Sequence, residues 1–337
     1  MKFWVKILNI ANKKQKPYES AKKSPFTFSP KKINLSDDAF HGSKAPRYTE
    51  WWYFDAVFDN GYSIQLSVRL LSIIKNRVVP VFKRLDIYKN GELLTHNKKR
   101  YSWKQFQASK EKPDVKLADK QVIKGEIKDN QLKYKLDFKV NNNSAKLELN
   151  SSTEGWKGNN PGGDMWAVII PRADVKGAIN INGEEIKVKG IGYHDHNWDV
   201  RASAAKNHGW FWGKINFDRY TITWASIFKD RNIGQPLLII NKVGNGFINL
   251  KPEEIYFRGN DMRATNGKMI PHEIILKGKN NDAELDIKMK LLKIHHVKMM
   301  LRMHYWRYHV SCKGFLKING KKETVDETHI AEFLKFK

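Results

Sequence analysis

Six Asn-Gly dipeptides, at residues 60, 90, 182, 245, 266 and 319, constrain this chain more than any other feature. Asn-Gly accepts the positive φ that a two-residue hairpin loop requires, so each pair between alternating apolar and polar runs marks an antiparallel turn. Leu132–Val140 shows that alternation in its clearest form. Comparable strand runs are read at Trp51–Phe58, Tyr62–Leu70, Val78–Tyr88, Met165–Arg172, Trp210–Phe217, Tyr220–Phe228, Leu237–Val243, Glu284–Leu292, Tyr305–Ile318 and Thr328–Phe336. Helical patterning is scarce. Its best candidate, Lys293–Met303, reads equally well as a strand end and loop, and Asn141–Gly163 reads as loop. An antiparallel chain of this length must close its sheets or cover their edges, so an all-β fold of barrels or sandwiches is expected.

The 337 residues suffice for two domains, and eleven Trp, twelve Tyr and seventeen Phe supply ample core. Lys+Arg of 61 against Asp+Glu of 35 gives a net charge of +26. The basic residues are mostly lysines dispersed between apolar positions, which reads as solvated faces; no nucleic-acid partner is expected. The single Cys312 excludes an internal disulfide framework and a cysteine zinc cluster. No apolar run approaches the roughly 20 residues of a membrane-spanning helix. Residues 1–40 read as a basic, partly disordered leader. Within it Phe3, Trp4, Ile7 and Leu8 suit a peripheral anchor on an anionic membrane, so the expected location is cytoplasmic with an option of peripheral membrane contact. Walker loops, nucleophile elbows, HExxH and dinucleotide fingerprints are absent from the sequence.

The chemistry concentrates in Gly190-Ile191-Gly192-Tyr193-His194-Asp195-His196-Asn197-Trp198. This stretch follows a hairpin pattern of Val175–Ile181, an Asn182-Gly183 turn and Ile186–Lys189. Gly190 and Gly192 suggest a bulge or a close backbone approach. On an extended strand, Tyr193, Asp195 and Asn197 face one way, and His194, His196 and Trp198 the other. Glu50-Trp51-Trp52-Tyr53-Phe54 and His208-Gly209-Trp210-Phe211-Trp212-Gly213 repeat the theme of an ionisable group beside indoles. A carboxyl group buried beside Trp loses solvation, so its pKa rises and it can stay protonated near neutral pH. His194-x-His196 is a weak spacing for a metal, and neither a metal nor an organic cofactor is expected.

Glu-Trp-Trp-Tyr-Phe near the start, Trp166 with Pro171-Arg172 in mid-chain, and Gly-x-Gly-Tyr-His-Asp-His-Asn-Trp followed by Trp-x-Trp-Gly together resemble the AttH/CrtC family. That family holds the carotenoid 1,2-hydratases (hydroxyneurosporene synthase), the AttH proteins and, more distantly, fungal pericyclases. The resemblance runs from about Glu50 to the end and implies two tandem lipocalin-like antiparallel β-barrels. On that basis the domains are expected at 41–198 and 199–337. The family's Tyr-x-Asp pair falls on Tyr193 and Asp195. Its His-x-Trp falls on Asp164-Met165-Trp166, with Asp164 in place of the histidine, and Asp199 stands where the family usually has glycine.

The resulting expectation is a protein that encloses a long apolar isoprenoid or lipid-like ligand, with hydration of a double bond as its reaction. Asp195 would protonate the alkene, Tyr193 would orient Asp195, Trp166 would shield the cationic carbon, and Asp164 or His194 would handle water. Glu50, Trp52, Phe54, His196, Trp198, His208, Trp210 and Trp212 are the candidate ligand-binding residues. The alternatives are a non-catalytic lipid carrier and a basic membrane-surface or nucleic-acid-associated protein.

Overall fold

Asn90-Gly91, Asn182-Gly183, Asn266-Gly267 and Asn319-Gly320 have positive φ at both residues. That is the type I′ geometry whose twist matches the strands it joins. The structure is a computed structural model that describes residues 16–21, 28–43, 48–74, 77–160, 163–201, 207–230, 232–244, 246–298 and 303–336. The chain is all-β and forms two β-barrels. No α-helix occurs among the described residues, only the short 3₁₀ turns Leu35–Asp38, Trp103–Gln105 and Pro252–Glu254. The helical candidate Lys293–Met303 is strand as far as Lys298. The supposed loop Asn141–Gly163 contains strands Asn143–Ser151 and Trp156–Asn159.

The first barrel is a nearly closed sheet of eleven strands. Near its middle lies Glu184–Arg201, which pairs on one side with Tyr48–Phe58 and on the other with Met165–Ile181. Beyond Tyr48–Phe58 lie Tyr62–Ile74, Arg77–Lys89 and Glu92–Tyr101, each hairpinned to the last. The second barrel is a ring of nine strands, closed by Tyr18–Ser20. That short strand pairs antiparallel with Ile255–Thr265 and parallel with Ile233–Lys242, removing the two open edges that would otherwise face solvent. The change of sheet falls between Arg201 and Gly209.

The leader is therefore corrected where it is described. Tyr18–Ser20 completes the second barrel, Lys31–Lys32 pairs with Trp156–Asn159, and Leu35–Asp38 packs on the first barrel with Asp37 and Asp38 buried. Average composition concealed this, because the ordering residues are few: Tyr18, Phe28 and the Asp37-Asp38 pair. Phe3, Trp4, Ile7 and Leu8 lie outside the described residues.

Each barrel has its own core, the first around Phe54, Leu66, Leu85 and Phe138, the second around Phe211, Trp224, Phe257 and Phe333. A third cluster lies between them, built from Tyr53, Trp156, Trp166, Tyr193, Trp212 and Leu237. Strand Tyr220–Phe228 is buried at every residue. Its odd and even positions serve two different cores, so burial does not alternate there as it does on a half-solvated strand.

Candidate active site

The period-two geometry of Glu184–Arg201 sorts the motif into two environments. Tyr193, Asp195 and Asn197 leave the first barrel toward the second, whereas His194, His196 and Trp198 point into the first. The glycines permit close backbone approach: a Cβ on Gly190 would fall 2.1 Å from the Val57 carbonyl oxygen, and one on Gly192 2.4 Å from a Val175 methyl. The partner strand has register breaks between Val168 and Ile170 and between Ile170 and Ala173, opposite this stretch. Asp199, in the family's glycine position, has φ 55° within the break between Asn197 and Val200. This is the left-handed region that aspartate tolerates better than most residues.

Asp195 is only 4 % exposed. Its Oδ2 accepts from the Tyr193 hydroxyl at 2.8 Å and from Trp166 Nε1 at 3.2 Å, and its Oδ1 accepts from Asn197 Nδ2 at 2.8 Å. Burial outweighs these donors and, with the charges of Glu332 and Asp55 adding to it, pushes the carboxyl up to about 7. It lines a cavity of about 660 Å³ between the barrels, which Asp164, Trp166 and Tyr53 line from the first barrel and Trp210, Trp212, Tyr305 and Glu332 from the second.

Across the cavity, Glu332 Oε1 accepts from the Tyr53 hydroxyl at 2.7 Å and from Arg307 Nη1 at 2.8 Å, and Oε2 accepts from Trp212 Nε1 at 3.2 Å. Gln65 Nε2 donates to the Tyr305 hydroxyl at 2.9 Å. Beneath lies a buried ion pair of Lys214 with Asp55, the ammonium 4.6 Å from the centre of the Tyr193 ring. Polar groups so buried persist only when paired, and here most pairs join one barrel to the other.

The sequence-predicted residues divide accordingly. Asp195, Trp166, Asp164, Trp210 and Trp212 surround the cavity, with Tyr193 behind Asp195 and stacked on Trp212 at 5.4 Å. His194, His196, Glu50, Trp52, Phe54 and Trp198 do not line it. His194 stacks on Phe54 at 3.8 Å and sets Nε2 2.8 Å from Asp38 Oδ2. His196 stacks on Trp52 at 4.5 Å, with Nε2 3.0 Å from Glu50 Oε1 and Nδ1 3.3 Å from Asp38 Oδ1. Trp198 stacks on His41 at 3.9 Å. Burial opposes charge on His196, yet Asp38 and Glu50 prevail and raise it to about 9. Burial likewise opposes charge on Asp38, and His194 and His196 hold it well below the usual carboxylate range. Both imidazoles thus tie the Leu35–Asp38 turn into the first barrel, and the roles of water handler for His194 and ligand contact for the other five are corrected. His208 is held through its backbone, to the Phe228 carbonyl and the Phe336 amide, and is not among the cavity-lining residues.

Sequence reasoning missed Tyr53, Asp55, Lys214, Arg307 and Glu332. The available signal was a charged residue set inside an otherwise apolar strand run, as in Tyr305-Trp306-Arg307-Tyr308 and Ile330-Ala331-Glu332-Phe333-Leu334.

Fold and cavity together define a tandem-barrel protein with a carboxylic acid buried in the wall between its barrels. A model of the AttH-like family matches residues 28–322, and the chain belongs to that family. Among solved structures, an AttH candidate from Nitrosomonas europaea matches with a TM-score of 0.64 at 14% identity, over 90% of this chain and 96% of that one. Kievitone hydratase from Nectria haematococca matches with a TM-score of 0.54 at 14% identity, over 93% and 98%. CghA with Sch210972 also gives 0.54, at 10% identity over 86% and 89%. In sequence, the quinolone epoxide rearrangement protein asqO of Emericella nidulans is 37% identical over 57 residues, 17% of this chain and 16% of the relative. The matching protein penF of Penicillium thymicola is 36% identical over 46 residues, 14% and 13%. The chain thus matches about a sixth or less of the length of these curated relatives.

Proposed function

We propose that the protein is an acid–base enzyme acting on an unsaturated apolar molecule of isoprenoid or similar skeleton, and that hydration of a carbon–carbon double bond is its reaction. The observation that carries this reading is Asp195: a buried carboxyl group at the wall of the cavity between the barrels, raised to about 7, so that a large fraction is protonated at neutral pH. A cavity of about 660 Å³ suits a ligand of drug-like size or the reacting end of a longer chain.

Asp195 gives its proton to one alkene carbon, the π pair forms the new C–H bond, and the neighbouring carbon becomes cationic. The indole faces of Trp166 and Trp212 and the charge of Glu332 offset that cation. Water adds to it and releases a proton by way of Asp164 or Glu332 to solvent, and Asp195 is reprotonated from solvent. Tyr193 and Asn197 hold the carboxyl in position throughout. The printed names of relatives support the class of chemistry: a hydratase and an epoxide rearrangement can each begin with one proton, delivered to an alkene or to an epoxide oxygen.

The test is incubation of the full chain with a panel of isoprenoid alkenes in D₂O, with products read by mass spectrometry. The wild type is expected to form a product bearing one carbon-bound deuterium and a new hydroxyl, and Asp195→Asn to bind the same alkene without forming it. Equal binding with no product from either protein would favour a carrier instead.

A further inference from the structure

The cross-strand register of the first barrel lays two rows of side chains along the cavity. One runs Asp195, Tyr53, Ser67, Arg84, Lys98, and the next runs Asn197, Trp51, Arg69, Phe82, Arg100. All ten residues line the cavity. Both rows begin on the strand carrying the acid and end on cations, while Asp164 and Glu332 lie with Asp195 among the lining residues. The cavity therefore has a basic side, set off from the strand that carries Asp195.

The cations are not equally satisfied. Arg84 donates from Nε to Asp86 Oδ2 at 2.7 Å. Arg69 has no carboxylate partner among the described residues; its Nε is shut off from solvent and meets no acceptor. Its guanidinium instead lies 5.0 Å from the centre of the Trp51 ring. Burial, together with the like charge of Arg84, lowers Arg69 to about 10. Lys98, 4.0 Å over the Phe82 ring, is lowered by burial and by Arg69 and Arg84. A half-buried guanidinium kept without an anion, among like charges, costs stability unless a ligand supplies the missing charge.

We propose that the substrate is an amphipathic anion, an unsaturated apolar body with a carboxylate- or phosphate-type head, and that Arg69, assisted by Lys98 and Arg100, holds that head. Arg69 stands two strands away from the acid-bearing strand, and adjacent strands lie about 4.8 Å apart, so head and reacting bond are separated by about 10 Å. The head-group site stands on the cation rows; the placing of the reacting bond rests on the reading of Asp195 as the acid.

Farnesol, farnesoic acid and farnesyl phosphate share one unsaturated body and differ in the head, so their binding to the full chain, followed by tryptophan fluorescence, tests the proposal. At least one of the two anions is expected to bind about tenfold or more tighter than the alcohol, as a charge-assisted contact implies. Whichever anion leads identifies the head as carboxylate or phosphate. Arg69→Gln should bring both anions to the affinity of farnesol and leave farnesol unchanged, and Arg69→Lys should keep most of the preference. Equal binding of all three probes, or a preference that survives Arg69→Gln, overturns the head-group site and leaves the acid reading standing. Failure of all three to bind overturns both. Asp195→Asn should keep the anion preference, so loss of turnover in that variant bears on the acid alone.

Discussion

Three hydrogen-bond donors on one carboxylate ordinarily favour its ionised form, and Asp195 accepts from Tyr193, Trp166 and Asn197. Its burial wins all the same, aided by the negative charges of Glu332 and Asp55. The consequence for stability has a definite sign. The folded protein keeps the Asp195 proton up to about pH 7, whereas the unfolded chain releases it near the ordinary aspartate value of about 3.9. Asp195 therefore contributes stability at low pH and loses it progressively as pH rises from about 4 to about 7. Asp195→Asn has no proton to lose, so it should gain on the wild type between pH 5 and pH 7.5. Urea unfolding at those two values checks this; a constant difference between the proteins would show that Asp195 titrates normally.

Among the elements, the Leu35–Asp38 turn and the Glu184–Arg201 strand show where sequence reading succeeded and where it stopped. Alternation separated Tyr193, Asp195 and Asn197 from His194, His196 and Trp198 correctly, because side-chain period follows from backbone geometry alone. It could not say what covers each face. That depends on Asp38, 156 residues from His194 in the chain, and on Glu332, which meets Tyr53 across 279 residues. Short strands such as Tyr18–Ser20 were illegible for a related reason: three residues carry no period. The turn makes its own prediction. Asp38→Asn removes one partner of a buried charged cluster and should cost about 3 kcal/mol at pH 5.5. In the wild type the contribution of Asp38 is present above about pH 4 and lost as pH falls, since its folded pKa is depressed. That of His196 is full below about pH 6.5 and lost as pH rises through about 9. Urea midpoints across about pH 2 to pH 9 should therefore show both limbs flattened in Asp38→Asn. A penalty under about 0.5 kcal/mol, the size of an ordinary surface change, would mean the cluster does not anchor the turn.

At the scale of the whole molecule, the second barrel completes the buried polar network of the first. Trp212, Lys214, Arg307 and Glu332 belong to the nine-stranded ring, yet their partners Tyr193, Asp55 and Tyr53 belong to the other sheet. The family resemblance anticipated two barrels, and the Asn-Gly turns anticipated an antiparallel sheet; the cavity between them came only from packing. The central claim is that Asp195 is a proton donor whose acidity is set in that cavity by both barrels. Its most direct test is a carboxyl ¹³C NMR titration of the full chain, with Asp195 assigned by comparison with Asp195→Asn and the titration repeated in Glu332→Gln. The account predicts that Asp195 titrates near 7 in the wild type and lower once the Glu332 charge is removed. An Asp195 carboxyl titrating near 4 in both proteins would contradict it.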